Sequence, residues 1–182
     1  MSVSLKTLGL SAVLLAGVSA AAFAQGKDLT IVVIAGKTGA FEAYAKQTLV
    51  GVQLGFEYAT EGKMEIDGRK IKLIDRDDQL KPDLAKALLQ EAYNDLKADF
   101  VIGTSSSGAA LAMLPVAEEN KRVLLVEPAV ADQITGANWN RYIFRTARNS
   151  SQDAASKRRG AGRAECLHRH AGAGLCLRPR WR

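Results

Sequence analysis

The sequence has only two cysteines and two histidines, and all four lie beyond residue 154. The chain before that point therefore offers no disulfide, no histidine to act as a catalytic base and no obvious metal site. The four side chains themselves, Cys166, His168, His170 and Cys176, do not follow a standard zinc-ligand spacing. No phosphate-binding loop is predicted either: Gly36-Lys37-Thr38 lies in the glycine-rich turn at residues 35–39, but Ile31 stands where the loop motif needs its first glycine. No metal or cofactor is predicted.

Positive charge is concentrated at one end of the chain. The net charge is +6, but residues 155–182 alone hold eight basic side chains against the single acid Glu165. The remainder is nearly neutral, so we predict no nucleic-acid surface there. With 182 residues and 47% apolar composition, the chain is long enough for one packed domain.

The first residues have the pattern of a secretory signal peptide. Lys6 gives a weak positive region, residues 8–18 are an uncharged apolar run, and Ala22-Phe23-Ala24 is a small-x-small cleavage site. The run is too short for a comfortable membrane span. We therefore predict a signal peptide over residues 1–24, cleavage after Ala24, and a mature protein that lies outside the cytoplasm. After the signal peptide, we predict a folded domain over residues 25–153 and a basic tail over residues 154–182.

Strands alternate with helices along residues 29–145. Continuous apolar runs predict buried strands, and apolar residues at helical spacing predict helices between them. Gly51 and Gly55 are predicted to let the first helix approach the sheet closely. The pattern is that of an α/β fold with a doubly wound parallel sheet. Strands are predicted at 29–34, 70–75, 100–102, 123–126 and 142–145, with helices at 41–60, after Pro82 and at 106–120.

Phe100 to Leu111 is the stretch around which the chain is organised. A short apolar strand ends at Gly103, and three serines stand where the next helix begins. A helix start carries unpaired N–H groups and a partial positive charge, so it attracts anions. The pattern predicts a pocket floor for a carboxylate or phosphate; an ordinary helix cap is the alternative. Ligands of such folds bind beyond the carboxyl ends of the strands, where loops 38–44, 104–107 and 127–131 are expected to gather.

Three other features at this edge, a serine, an aspartate pair and a tyrosine, can each be interpreted from the sequence. Ser105 could be the nucleophile of a periplasmic serine hydrolase, although Gly103 to Ser107 lacks the second glycine of a nucleophile elbow. Asp77-Asp78 is interpreted as a charged loop in which an aspartate caps the next helix. Tyr44 follows the first glycine turn and is a candidate ligand contact or a residue at the edge of the core.

A set of short motifs in fixed order resembles one family. Together they resemble the periplasmic substrate-binding proteins of ABC transporters of the branched-chain amino acid (Leu/Ile/Val-binding) type, over about residues 29–153. The motifs are Thr38-Gly39-Ala40-Phe41, Asp67-Gly68-Arg69-Lys70-Ile71, Asp77-Asp78-Gln79, Ser106-Ser107-Gly108-Ala109-Ala110-Leu111-Ala112, Pro115-Val116-Ala117-Glu118-Glu119 and Tyr142-Ile143-Phe144-Arg145-Thr146.

The resemblance implies most of the first lobe of a two-lobed, hinge-closing type I periplasmic binding protein. It also implies binding of an amino acid or related small carboxylate without catalysis or cofactor, and delivery to a permease in the inner membrane. By this resemblance Ser107, with Ser106 beside it, holds the ligand carboxylate, and Tyr44 covers the ligand. The region of Ala129, Val130 and Ala131 holds the α-ammonium. Ala131 stands where the family has threonine, so one ammonium contact is missing.

The basic tail departs from the family. Residues 155–182 show no apolar periodicity and are rich in arginine, glycine and alanine. A shift of one base in their codons permits a peptide that begins like a buried strand and resembles the opening of the family's second lobe. We therefore predict a frameshift near codon 155, or a sequencing error there, and a disordered tail without a site. An inactive fragment of a receptor is accordingly the other alternative to a working binding protein.

Overall fold

The computed structural model describes residues 27–158, in which strands and helices alternate. The predicted signal peptide, its cleavage site, both cysteines and both histidines lie outside the described residues. The strands are β1 (Leu29–Ala35), β2 (Glu65–Ile66), β3 (Arg69–Asp77), β4 (Phe100–Gly103), β5 (Val123–Val126) and β6 (Ile143–Arg145). The helices between them are α1 (Glu42–Ala59), α2 (Pro82–Asn94) and α3 (Ser107–Asn120), with a 3-10 turn over Asp132–Thr135.

One sheet in the order β2-β3-β1-β4-β5-β6 carries the fold. All neighbouring pairs are parallel except β2 with β3, so the predicted α/β fold with a doubly wound parallel sheet is confirmed. The edge strand β2 was not predicted. It forms because Asp67 (φ 51°) and Gly68 (φ 75°) make a two-residue turn with positive φ at both positions, which reverses the chain into a hairpin.

The main core lies between the sheet and the helix pair α2 and α3. The parallel register aligns Val32, Val101, Leu124 and Ile143 in one row across four strands, and all four are buried. Helix α2 places Ala85, Leu89 and Ala92 on this face, and α3 adds alanines and Met113. Burial of these side chains is the main contribution to the stability of the domain.

The opposite face of the sheet is covered by α1 alone among the described helices. Leu49, Val52 and Phe56 pack against a smaller buried cluster that includes Ile31 and Ile102. Gly51 and Gly55 do not face the sheet, because a Cβ added at either would meet no atom within 4 Å. The prediction that they allow close helix–sheet packing is therefore wrong.

A further helical segment, residues 150–158, follows β6. It includes the first five residues of the predicted basic tail; the rest of that tail, the domain boundary at residue 153 and the frameshift stay predictions. Between residues 27 and 158, no helix combines the length and apolarity that crossing a bilayer requires.

Candidate functional site

The loops after β1, β3, β4 and β5 meet at the carboxyl edge of the sheet. The N–H of Ala129 donates to the carbonyl of Thr104 at 3.2 Å, and the N–H of Asp78 donates to the carbonyl of Ala35 at 3.2 Å. Parallel strands all end at the same edge, and loops that leave neighbouring strands are close enough to bond there. The candidate ligand-binding residues were predicted from the sequence to lie at this same edge.

Gly103 allows the loop after β4 to start close to β1. A Cβ on Gly103 would lie 2.2 Å from the carbonyl oxygen of Ile34, which no side chain can tolerate. Glycine is therefore required at this position, and the three serines that follow leave the sheet in a fixed direction.

The serines begin α3 as predicted, within one residue. Ser106 is the N-cap, with extended backbone, and its Oγ accepts a long hydrogen bond of 3.5 Å from the N–H of Ala109. Ser107 opens the helix, and its Oγ accepts from the N–H of Ala131 at 3.2 Å. The first turn of α3 adds N–H groups that have no acceptor within the helix. The structure thus brings together Ser107 and Ala131, two of the residues that the resemblance had assigned to one ligand.

Ser105 is arranged differently from its neighbours. Its Oγ is buried, and it has no hydrogen-bond partner within the part of the chain that the structure describes. No histidine occurs between residues 27 and 158 to remove its proton. A serine nucleophile needs an adjacent base and access to its substrate, so this geometry does not favour the hydrolase alternative.

The carbonyls of residues 129–131 are the predicted ammonium acceptors, and two of them already have partners. The Val130 carbonyl accepts from the N–H of Ser150 at 2.8 Å and from its Oγ at 3.0 Å. The Ala131 carbonyl accepts from Nη1 of Arg145 at 2.7 Å. Of these three carbonyls, that of Ala129 is the one without a donor among residues 27–158. The Arg145 contact was not predicted; its position at the end of β6 is the one sequence signal for it.

The helical segment 150–158 is hydrogen-bonded at its first residues to the segment that follows β5. Asn149 and Gln152 cap the segment reciprocally: each N–H donates to the other's side-chain oxygen, at 2.9 and 2.8 Å. Asp132 accepts from the N–H of Ser151 at 3.1 Å and from its Oγ at 2.7 Å. These hydrogen bonds hold the pKa of Asp132 below its usual range.

Tyr44 lies near the same edge, on the side of α1. Its ring is half exposed and makes an edge-to-face contact with Phe41, with centroids 6.0 Å apart. Tyr44 borders an open cavity of about 330 Å³ that Glu127 and Pro128 also line. These two residues directly precede Ala129. The cavity separates Tyr44 from the 127–131 loop and leaves room for a small molecule beside the ring.

Asp78 and Thr104 are the pair at this edge that sequence reasoning missed. Both are fully buried, and the Thr104 hydroxyl donates to Asp78 Oδ2. The predicted helix-capping role is wrong, because the N-cap of α2 is Lys81 and no side chain caps it. The adjacent Asp77 also stays outside the helix: it accepts from the N–H of Lys37 and the hydroxyl of Thr38, both at 2.9 Å. Among residues 27–158, no group of three or more metal-ligating side chains is assembled.

A family model described as periplasmic binding protein matches residues 28–161. The chain belongs to the periplasmic binding protein family. This match and the parallel α/β sheet confirm the predicted type I periplasmic binding protein fold, as a part of the first lobe. No curated protein matches the chain.

Solved structures of this family superpose on the described fold. One, an ABC-type branched-chain amino acid transporter from Rhodopseudomonas palustris, is 71% identical (TM-score 0.69) over 70% of this chain and 34% of its own. A second R. palustris protein, a solute-binding protein in complex with benzoate, is 30% identical (TM-score 0.63) over 69% of this chain and 34% of its own. A third, from R. palustris BisB5 in complex with 3,4-dihydroxybenzoic acid, is 28% identical (TM-score 0.59) over 68% and 32%. The chain thus spans about a third of the length of the structures it matches.

Proposed function

We propose that this chain carries the first-lobe part of an extracytoplasmic solute-binding component of an ABC transporter, which binds a small carboxylate without chemical change. The observation that carries the proposal is the contact at the start of α3 in which Ser107 Oγ accepts from the Ala131 N–H at 3.2 Å, because it places two groups able to donate side by side. A carboxylate placed there would accept from both and would face the positive end of the helix. The relatives at 71% and 30% identity support this class of function.

We also infer that the ligand lacks an α-ammonium group, as an aromatic or keto acid does. An ammonium has three donors, and burying it without acceptors is costly. Ala131 has no hydroxyl, and the carbonyls of Val130 and Ala131 already accept from Ser150 and Arg145, so an ammonium would find the Ala129 carbonyl alone among the three. The relatives bound to benzoate and 3,4-dihydroxybenzoic acid support this choice. The name of the 71% identical relative points to branched-chain amino acids instead.

The remaining residues and partners of the proposal follow from the site and the family. Ser106 and the first turn of α3 complete the carboxylate end, and Tyr44 packs on the body of the ligand across the cavity beside Pro128. The partner is a permease in the inner membrane, and the location is the periplasm. Because the chain spans about a third of its relatives' length, binding by this chain alone is itself a part of the proposal.

The test is a titration of the purified chain followed by the NMR amide signals of Ser107 and Ala131. The ligands are leucine, its keto acid 4-methyl-2-oxopentanoate, and benzoate, with benzamide as a control without a charge. We expect both ammonium-free acids to shift the two signals, benzamide to leave them unchanged, and leucine to bind roughly 5- to 150-fold more weakly. Tighter binding of leucine than of its keto acid would overturn the ligand class. No response to any carboxylate would overturn the function and leave the inactive fragment.

A further inference from the structure

Asp78 and Thr104 form a polar contact in the interior, behind the candidate carboxylate site. Both residues have 0% exposure. Asp78 Oδ2 accepts from the Thr104 hydroxyl, and Oδ1 accepts from the N–H of Leu80 at 2.9 Å. A carboxylate is costly to bury and is kept in a protein interior only where donors reach it. The burial of the Asp78 carboxylate is not required by the hydrogen bonds of the sheet or the helices, so it needs another explanation.

Helix capping does not explain Asp78. Helix α2 starts at Pro82, and the residue before it, Lys81, is its N-cap. Asp78 lies outside the helix and donates its own N–H to the carbonyl of Ala35 at the end of β1. The side chain points instead to the loop after β4, which it reaches from 26 residues away in sequence.

Thr104 connects this carboxylate to both sides of the candidate site. It directly precedes the three serines, so its position sets where Ser107 begins α3. Its carbonyl accepts from the N–H of Ala129 at 3.2 Å, two residues before Ala131. The hydroxyl and the carbonyl of a single buried residue thus hold the loop after β3 and the loop after β5 at fixed distances from the serines.

We propose that Asp78 acts through Thr104 as a positioning residue, which sets the separation of the Ser107 hydroxyl and the Ala131 N–H for a carboxylate. This inference rests on the function proposed above. Two donors bind one carboxylate well only within a fraction of an ångström of the right spacing, and such spacing depends on the supporting contacts behind them. Thr104 contacts the loop after β3 and the loop after β5. Removal of its hydroxyl should therefore change the spacing of the Ser107 hydroxyl and the Ala131 N–H while both donors remain.

The test compares Thr104→Val, which keeps the shape and removes the hydroxyl, with Thr104→Ser, which keeps the hydroxyl. Benzoate affinity is measured from the amide shifts of Ser107 and Ala131, and the melting temperature is measured in parallel. We expect Thr104→Val to bind benzoate roughly tenfold more weakly and Thr104→Ser to restore the parent affinity. The matched control is Thr30→Val, a buried threonine at the amino end of β1, which should leave the affinity unchanged.

The two measurements separate a positioning role from a purely structural one. A lower melting temperature of Thr104→Val with unchanged benzoate affinity would overturn the inference, and so would equal weakening by Thr104→Ser. If Thr104→Val does not fold, hydrogen exchange in the parent chain tests the positioning role instead. Benzoate should slow exchange at the Leu80 N–H, which donates to Asp78. Unchanged exchange at that N–H would overturn the inference. If the parent chain binds no carboxylate, the proposed function fails first and the positioning role fails with it.

Discussion

Ser107 and Ala131 lie 24 residues apart and are joined by a hydrogen bond from the Ala131 N–H to Ser107 Oγ at 3.2 Å. The Ala131 N–H thus has an acceptor, while the Ser107 hydroxyl accepts with its oxygen and keeps its own proton to donate. Both groups can donate to an anion: the hydroxyl through its own proton, and the Ala131 N–H by exchanging Ser107 Oγ for an oxygen of the anion. A carboxylate entering here exchanges one neutral hydrogen bond for two charge-assisted ones, which are stronger.

Ser107→Ala should therefore weaken carboxylate binding by roughly 1–3 kcal/mol, or about 5- to 150-fold in the dissociation constant. The change removes one donor to the ligand and takes away the acceptor of the Ala131 N–H. Calorimetry or NMR titration with benzoate measures the effect. A dissociation constant equal to that of the parent would make Ser107 an ordinary helix residue.

Ser105→Ala provides the matched control, since Ser105 precedes the same helix but its buried Oγ has no partner among residues 27–158. Removing an unpaired hydroxyl releases a desolvation cost, so we expect unchanged benzoate affinity and a free energy of unfolding equal to the parent's or up to about 1 kcal/mol higher. A fluorophosphonate probe should not label the parent. Labelling that disappears in Ser105→Ala would revive the hydrolase alternative.

The sheet and the serine helix were predictable because their signals are local. The runs around Ile31, Val101 and Leu124 are apolar without interruption, as strands covered on both faces are, and Ser106 has the chemistry of an N-cap. Periodicity alone could not tell which side of α1 meets the sheet, since apolar residues surround the helix. Gly51 and Gly55 were therefore assigned to the wrong side.

The contacts that organise the candidate site were not predictable, because they join residues far apart in sequence. Asp78 and Thr104 are 26 residues apart, and Arg145 reaches the carbonyl of Ala131 across 14. An aspartate shortly before a helix is typical of a cap, so local statistics favoured that role for Asp78. The role of Asp78 is determined instead by its tertiary contact with Thr104. That contact depends on the strand order, which brings the loops after β3 and β4 together.

An ion pair between Asp99 and Arg69 lies at the amino end of the sheet and should make the free energy of unfolding depend on pH. Partial burial alone would raise the pKa of Asp99, but hydrogen bonds from the Thr30 N–H at 2.9 Å and from Arg69 at 3.0 Å outweigh it, and the pKa lies below its usual range. A lowered pKa means that the unfolded chain binds more protons in acid. The stabilisation is therefore complete above about pH 4 and is lost as pH falls through the folded-state pKa.

Asp99→Asn should reduce the free energy of unfolding at pH 7 by less than about 1 kcal/mol, because the pair is partly exposed to solvent. It should also make stability less dependent on pH below 4 than in the parent. Urea denaturation at pH 7 and pH 3 measures both effects, and Arg69→Met should reproduce them in part. A parent and an Asp99→Asn variant that lose equal stability between the two pH values would contradict the assignment.

A buried leucine of α2 and an exposed leucine of α1 should differ in how much stability their truncation costs. Leu89 of α2 has 0% exposure in the main core, whereas Leu54 on the outer face of α1 is 57% exposed, beside the exposed Val50 and Tyr58. Leu89→Ala leaves a cavity and should cost about 2–5 kcal/mol. Leu54→Ala removes a side chain already half in water and should cost less than about 0.5 kcal/mol. Urea denaturation at low protein concentration measures the pair under identical conditions. If the two variants lost similar stability, the outer face of α1, with Val50, Leu54 and Tyr58, would have to be covered in solution.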